Sequence, residues 1–193
     1  LDGISRPMVD AVLLYEDRWF YWHPGVNPWA LLRAAGTTAL GQRRIGGSTI
    51  TMQLARRAYG IDSRSLTGKL QQLGAALWLE LRYSKREILE AYLNVAPFGG
   101  NIEGVGAASL VYLRKPARQI GVAEALNLAV IPQNPRKRLG EAALRLARQR
   151  LAQRWVAQFP QDARLLEANA LQTPFKTRAN LPFLAPHLVD FVL

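Results

Sequence analysis

Two adjacent carboxylates, Glu16 and Asp17, stand in the aromatic stretch LLYEDRWFYWHPGVNPWALL, from Leu13 to Leu32. Consecutive side chains on a helix point about 100° apart. The two acids therefore do not share a proton as a face-to-face dyad would. One can face a substrate while the other anchors structure. A carboxylate set among Tyr15, Trp19, Phe20, Tyr21 and Trp22 is poorly solvated, which raises its pKa toward the range of a general base or acid. The same residues also read as two solvated acids closing a surface helix.

A second constellation is cationic. From Arg33 to Lys69 the basic side chains are Arg33, Arg43, Arg44, Arg56, Arg57, Arg64 and Lys69, and Asp62 is the only acid among them. Within this run lies RRIGGSTITMQLARR. Glycines, then hydroxyls at a helix start, then arginines suit a phosphate, because the free N–H groups and the helix dipole favour an anion there. Ser48 reads equally as a plain N-cap. His23, in HPG, reads as a turn residue, since nothing near it supplies both a nucleophile and an orienting acid. The glycine-rich NVAPFGGNIEGVG lacks the lysine and spacing of a phosphate loop.

The elements that must position these groups are mostly helices. Ser5-Arg6-Pro7 starts one, with Met8, Ala11, Val12 and Tyr15 on one face and Glu16 near its end. Asn27-Pro28 starts another, before WALLRAA. Ser48 is placed to cap TITMQLARRAY, which Gly60 ends. Leu66, Leu70, Leu73, Leu77 and Leu81 recur at helical spacing, and Ser84 with Glu87 forms a capping-box pattern before ILEAYLN. VAEALNLAVI is a short apolar helix stopped by Pro132. GEAALRLARQRLAQRWVAQF is a basic amphipathic one with Leu144, Ala147, Leu151 and Trp155 on one side. Residues 99–106 are the best non-helical candidates. After Phe159 the prolines at 160, 174, 182 and 186 suggest a departing linker.

The 193 residues suffice for one domain with a sizeable core or for two small lobes, and 49% hydrophobic residues argue against disorder. No uncharged run reaches the ~20 residues of a membrane span, and no signal peptide is evident. The start at Leu1 rather than Met is read as a piece of a longer protein. With no cysteine there is no disulfide or thiolate site, and two distant histidines make a histidine metal site improbable. A formal charge of +11 points to a polyanion: nucleic acid, an anionic membrane surface or a phosphate-bearing substrate.

Four blocks in order, from about Val9 to Pro135, resemble the family 51 glycosyltransferases, the peptidoglycan glycosyltransferase domains of class A penicillin-binding proteins. EDRWFYWHPG resembles E-D-x-x-F-x-x-H-x-G, and GGSTITMQLAR resembles G-G-S-T-I-T-Q-Q-L-x-K. LELRYSKREILEAYLNVAPFG is similar to L-E-x-x-Y-S-K-x-E-I-L-E-x-Y-L-N-x-x-x-F-G, and AEALNLAVIPQNP to A-E-A-A-x-L-A-x-L-P-Q-x-P. Met52 and the APFGG wording look most like the penicillin-binding protein 1C branch.

The resemblance implies a mainly α, lysozyme-like fold of two lobes around a central cleft. It implies a glycosyltransferase domain over 1–160, with 161–193 ending it and starting a linker toward an absent transpeptidase domain. The implied reaction polymerises lipid II into glycan strands, with inversion at the donor MurNAc C1 and release of undecaprenyl pyrophosphate. The implied partners are lipid II, the growing lipid-linked glycan and an anionic membrane surface, at the periplasmic face of the bacterial inner membrane, and not nucleic acid. Glu16 matches the catalytic base, with Asp17 beside it in the catalytic motif. Arg33, Ser48, Thr49, Gln53, Arg56, Arg64, Lys69 and Gln72 are the expected substrate and phosphate contacts.

The chain departs from the family pattern in three places. Arg56 stands for the usual lysine, keeping the charge, and Met52 stands for a glutamine. In GKLQQ, at 68–72, Gly68 and Gln72 replace the arginine and glutamate of R-K-x-x-E. A divalent cation, Mg or Mn, is the usual companion of a departing pyrophosphate. Gln72 cannot bind one strongly, so the metal is left open here, and no residue is assigned to it. Restoring the carboxylate by Gln72→Glu is expected to keep or raise activity and to increase metal dependence. Competing readings are a lysozyme-like glycan-cleaving enzyme, which has no pyrophosphate for the cations to hold, and a basic helical nucleic-acid module, whose aromatics would interleave with the basic run.

Overall fold

The computed structural model describes residues 1–29, 48–99, 101–132 and 141–166. It is mainly helical, as the sequence predicts, and among the described residues the only β pairing is an isolated antiparallel bridge between Pro97 and Glu103. The helices are α1 (Arg6–Glu16), α2 (Ile50–Ala58), α3 (Leu66–Arg82), α4 (Lys85–Val95), α5 (Val105–Ala108), α6 (Val122–Ala129) and α7 (Glu141–Gln158).

Helix α1 starts as expected. Ser5 caps it, accepting from the Met8 N–H at 3.3 Å, and Pro7 sits in the first turn. Its buried residues Met8, Val9, Ala11, Val12 and Leu14 face α6 and α7. Helix α6 is buried from Ala125 to Ala129, the pattern of a central core helix. On α7, Leu144, Ala147, Leu151 and Trp155 are buried together, as their spacing predicts. A second group packs α2 between α3 and α4, and its apolar residues join those of the first in one core. The expected capping box opens α4, with Ser84 and Glu87 satisfying each other's backbone N–H. Around the glycine-rich loop, Gly99, Asn101 and Gly104 have positive φ. Helix α5 follows at once and runs into a π-helical turn at Ser109–Leu113, so residues 105–106 are helical rather than loop.

Two elements differ from expectation. Thr49, not Ser48, caps α2: its hydroxyl accepts from the Met52 N–H at 3.1 Å and donates to the Gly25 carbonyl. The double bond to cap and neighbouring loop fixes Thr49 at the helix start and leaves the Ser48 hydroxyl for another partner. On α3 the leucine stripe does mark a helix, but Leu66, Leu70, Leu77 and Leu81 are exposed. Gly68, Gln72, Ala76 and Leu79 make the buried side instead.

Glycine is required at two places. Gly25 has φ +78°, and a Cβ there would stand 2.6 Å from Glu80 Cγ, so the HPG turn lies directly against α3. A Cβ on Gly68 would come 1.9 Å from the Asp62 carbonyl oxygen. The turn before α3 closes over this position, leaving no space for the arginine of the family pattern.

Several expected features lie outside the described residues: the WALLRAA helix beyond Trp29, Arg33, Arg43, Arg44, the Gly46-Gly47 pair, Gln133 to Pro135, and the linker from 167 onward. Residues Pro160–Leu166 form a 3₁₀ segment packed on α7, where Trp155 Nε1 donates to Asp162 Oδ2 at 2.9 Å.

Candidate functional site

The two neighbouring acids at the end of α1 point to different partners. Asp17 is buried and bonded across the fold. Its carboxylate lies 2.9 and 3.1 Å from His23 Nε2 and accepts from the Ile50 N–H at 3.0 Å. It therefore binds the first turn of α2, where an unpaired N–H and the positive end of the helix dipole both favour an anion. Glu16 is half-buried, and its Oε2 accepts from Gln53 Nε2 at 2.8 Å. Gln53 lies one turn into α2, so Asp17 fixes the start of that helix and the helix then brings an amide to Glu16.

The same helix carries the cations. Arg56 follows Gln53 by three residues, on the neighbouring position of one helical face, and is exposed. Lys69, near the start of α3, is half-buried and donates from Nζ to Ser48 Oγ at 2.9 Å and to Gln72 Oε1 at 2.8 Å. Burial, and then the Arg56 charge, lower the Lys69 pKa from its usual value. Gln72 is 1% exposed and passes its other end, Nε2, to the Met52 carbonyl at 2.7 Å. So Ser48, Thr49, Gln53, Arg56, Lys69 and Gln72 all cluster around α2 with Glu16 at one side. Arg64 is exposed on the turn before α3, its backbone N–H donating to Asp62 Oδ1 at 3.1 Å. Arg33 lies outside the described residues.

Sequence reasoning missed the support beneath this cluster. Thr51, fully buried, donates to Glu80 Oε1, which also accepts from Lys85 Nζ at 2.8 Å. Lys85 Nζ further donates to the His23 carbonyl at 2.7 Å and lies 4.4 Å from the Phe20 ring centroid. Glu80 ties α3 to α2 and to the HPG turn from the inside. His23, expected as a mere turn residue, is buried against Asp17 and Phe20. The signal was present in the E-D-x-x-F-x-x-H spacing, but local chemistry around His23 could not reveal a partner brought by the turn. Tyr92, also buried, lies in the electrostatic field of the acids: burial first, then Glu16, raises its pKa well above the usual value.

The aromatics divide as well. Phe20 is buried, whereas Trp19, Tyr21, Trp22 and Trp29 are exposed, with the Arg18 guanidinium over the Trp19 ring at 5.6 Å.

A divalent cation at 69–72 would need several hard oxygen ligands. Gln72 offers one neutral oxygen, already turned to an ammonium, and its amide N–H cannot ligate a metal. Among the described residues, no cluster of three or more His, Asp or Glu side chains could hold a metal ion. The side chains present here do not fit that group.

Comparison with known proteins agrees with the motifs. The family model described as transglycosylase matches residues 1–158. Penicillin-binding protein 1C of Escherichia coli (strain K12) is 48% identical over 136 residues, covering 70% of this chain and 18% of that protein. The biosynthetic peptidoglycan transglycosylase of Pasteurella multocida (strain Pm70) is 44% identical over 135 residues, 70% of this chain and 55% of that protein. Penicillin-binding protein 4 of Bacillus subtilis (strain 168) is 40% identical over 133 residues, 68% of this chain and 21% of that protein. The chain thus spans between 18% and 55% of the length of these relatives.

Proposed function

Because the chain belongs to the transglycosylase family, we propose that it is a peptidoglycan glycosyltransferase that polymerises lipid II into glycan strands. The observation that carries this reading is the arrangement around α2: Gln53 holds Glu16 at 2.8 Å, Arg56 stands one turn on, and Gln72 ties Lys69 to the Met52 carbonyl of the same helix. A base from the end of α1 and cations from α2 and α3 are therefore gathered around α2. A reaction that removes a hydroxyl proton and expels a pyrophosphate needs both.

In this reading Glu16 takes the proton of the acceptor's GlcNAc 4-hydroxyl as that oxygen attacks the donor MurNAc C1. The C1–O bond to the undecaprenyl pyrophosphate breaks on the opposite face, with inversion. The electron pair goes to the leaving group, whose growing charge Lys69 and Arg56 stabilise, because fixed cations need no reorganisation at the moment of reaction. Gln53 orients Glu16, and Asp17 sets the helix that carries Gln53. Ser48, Arg64 and Arg33 complete the proposed substrate contacts, and the buried Thr49 sets the start of the helix beside them. The reaction runs in a cleft between two lobes, at the periplasmic face of the bacterial inner membrane. A transpeptidase domain in the longer protein accompanies this one, beyond a 161–193 segment that ends this domain and starts a linker.

The test is lipid II polymerisation by Glu16→Gln. The substitution keeps size and a bonding partner for Gln53, so melting should be unchanged while polymerisation falls by about 10²–10⁴-fold, the usual contribution of a general base. Near wild-type glycan synthesis by the variant would remove Glu16 from the role of base. Release of muropeptides from finished peptidoglycan, without polymer from lipid II, would favour a glycan-cleaving enzyme instead.

A further inference from the structure

The amide of Gln72 cannot be read both ways. Lys69 Nζ only donates, so the atom facing it at 2.8 Å must be the amide oxygen. The Met52 carbonyl only accepts, so the atom facing it at 2.7 Å must be the amide nitrogen. Both ends of a side chain that is 1% exposed are thus used, one for each partner. A carboxylate of the same shape has no N–H to give and would set an anionic oxygen against the Met52 carbonyl.

Charge follows from the same bonds. Lys69 is held by one hydroxyl and one amide oxygen, both neutral. Among the described residues no Asp or Glu forms an ion pair with it. The neighbouring charge that acts on it is another cation, Arg56, which lowers its pKa further. A half-buried ammonium kept without a counter-charge is costly, unless an anion arrives to use it.

We infer that Gln72 is a positioning residue that seats Lys69 as an uncompensated cation, so that this site receives the pyrophosphate of its substrate without a divalent metal. The role rests on the polymerase reading above and deepens it. Gln72 touches no substrate; it acts through Lys69. The expectation raised by the sequence, that Gln72→Glu would preserve or raise activity, therefore changes sign. The new carboxylate would lose the Met52 bond and neutralise the ammonium that the anion needs.

The experiment uses the chain stripped of metal with EDTA. Inorganic pyrophosphate is titrated in by calorimetry, with and without Mg²⁺, and lipid II polymerisation in detergent is followed under the same conditions. Three proteins are compared: wild type, Gln72→Glu and Gln72→Met. Both variants lose the Met52 bond and should lose similar melting temperature, but only the glutamate adds a negative charge beside Lys69. Wild type should bind pyrophosphate and polymerise equally with EDTA or Mg²⁺. Gln72→Met should bind a few-fold more weakly, and Gln72→Glu about tenfold more weakly or worse, the effect of one unit charge a few ångströms away.

Wild-type polymerisation that stops in EDTA and returns with Mg²⁺ would overturn metal independence while leaving the polymerase reading intact. Equal pyrophosphate affinity for Gln72→Glu and Gln72→Met would overturn the positioning role, because a merely structural loss affects both alike. Absence of polymer under every condition would remove the polymerase reading. The metal-free titration would then still decide whether Lys69 is an anion site.

Discussion

At the scale of single residues, Glu16 and Asp17 differ by what their oxygens touch. Asp17 satisfies His23 and the Ile50 N–H in a buried place. Asp17→Ala leaves both without a partner and should cost about 2–5 kcal/mol of stability, the range for orphaning buried polar groups. Asp17→Asn keeps an oxygen for the Ile50 N–H and should lose clearly less. Chemical denaturation of the two variants beside Glu16→Gln checks this, and an Asp17→Ala protein as stable as wild type would contradict the anchoring role. The sequence made the division of labour visible in principle, since neighbours on a helix diverge. It could not supply the partners, because His23 is six residues away and Ile50 thirty-three. Those bonds exist only once α1, the HPG turn and α2 have met. Gln72 shows the converse. Its departure from the family pattern was legible from GKLQQ, but the reason, an amide with a carbonyl on one side and an ammonium on the other, required the packing of α2 on α3.

At the scale of elements, α3 shows how far periodicity carries. The leucine spacing predicts a helix, and a helix spans Leu66–Arg82. Periodicity does not say which face is inside. Here α2 meets α3 at Gln72, whose amide bonds the Met52 carbonyl, while the turn from Asp62 closes over Gly68 and the HPG turn lies against Ala76. The leucines are left outward. The placement of the cap is a smaller instance: Ser48 and Thr49 are equally good caps by type, and only the Gly25 carbonyl, brought by the HPG turn, selects Thr49. Gly68 tests the closure of the turn from Asp62 directly. In an open helix, Gly→Ala gains up to about 1 kcal/mol. Against the Asp62 carbonyl, where a Cβ would stand at 1.9 Å, Gly68→Ala should instead lose about 1–3 kcal/mol, as overpacked sites do. Urea denaturation decides the sign, and a more stable Gly68→Ala protein would mean that the turn from Asp62 to Ser65 yields freely.

At the scale of the whole molecule, two surface properties fall to be explained together. The chain carries a formal charge of +11, and α3 turns Leu66, Leu70, Leu77, Trp78 and Leu81 to solvent. Among the described residues, no helix is long and apolar enough to cross a membrane. The lipid-linked substrate proposed above would be reached from the bilayer surface, where a basic protein gains from anionic headgroups and exposed leucines gain from partial burial in the acyl boundary. The two contributions separate by salt, because the screening length falls from about 10 Å at 0.1 M to about 3 Å at 1 M while apolar burial persists. The chain should therefore co-sediment with anionic vesicles at low salt and keep a fraction of that binding at 1 M. Leu70→Gln, Leu77→Gln and Leu81→Gln combined should remove the salt-resistant fraction. With about 1 kcal/mol from each partly buried leucine, vesicle affinity should fall by about 100-fold. Melting temperature should hold, since all three side chains are exposed in the folded chain. Polymerisation of lipid II in vesicles should fall with binding, while polymerisation in detergent micelles, which present substrate to any face, should not. A triple variant that binds vesicles like wild type at 1 M salt would show that α3 meets something other than lipid.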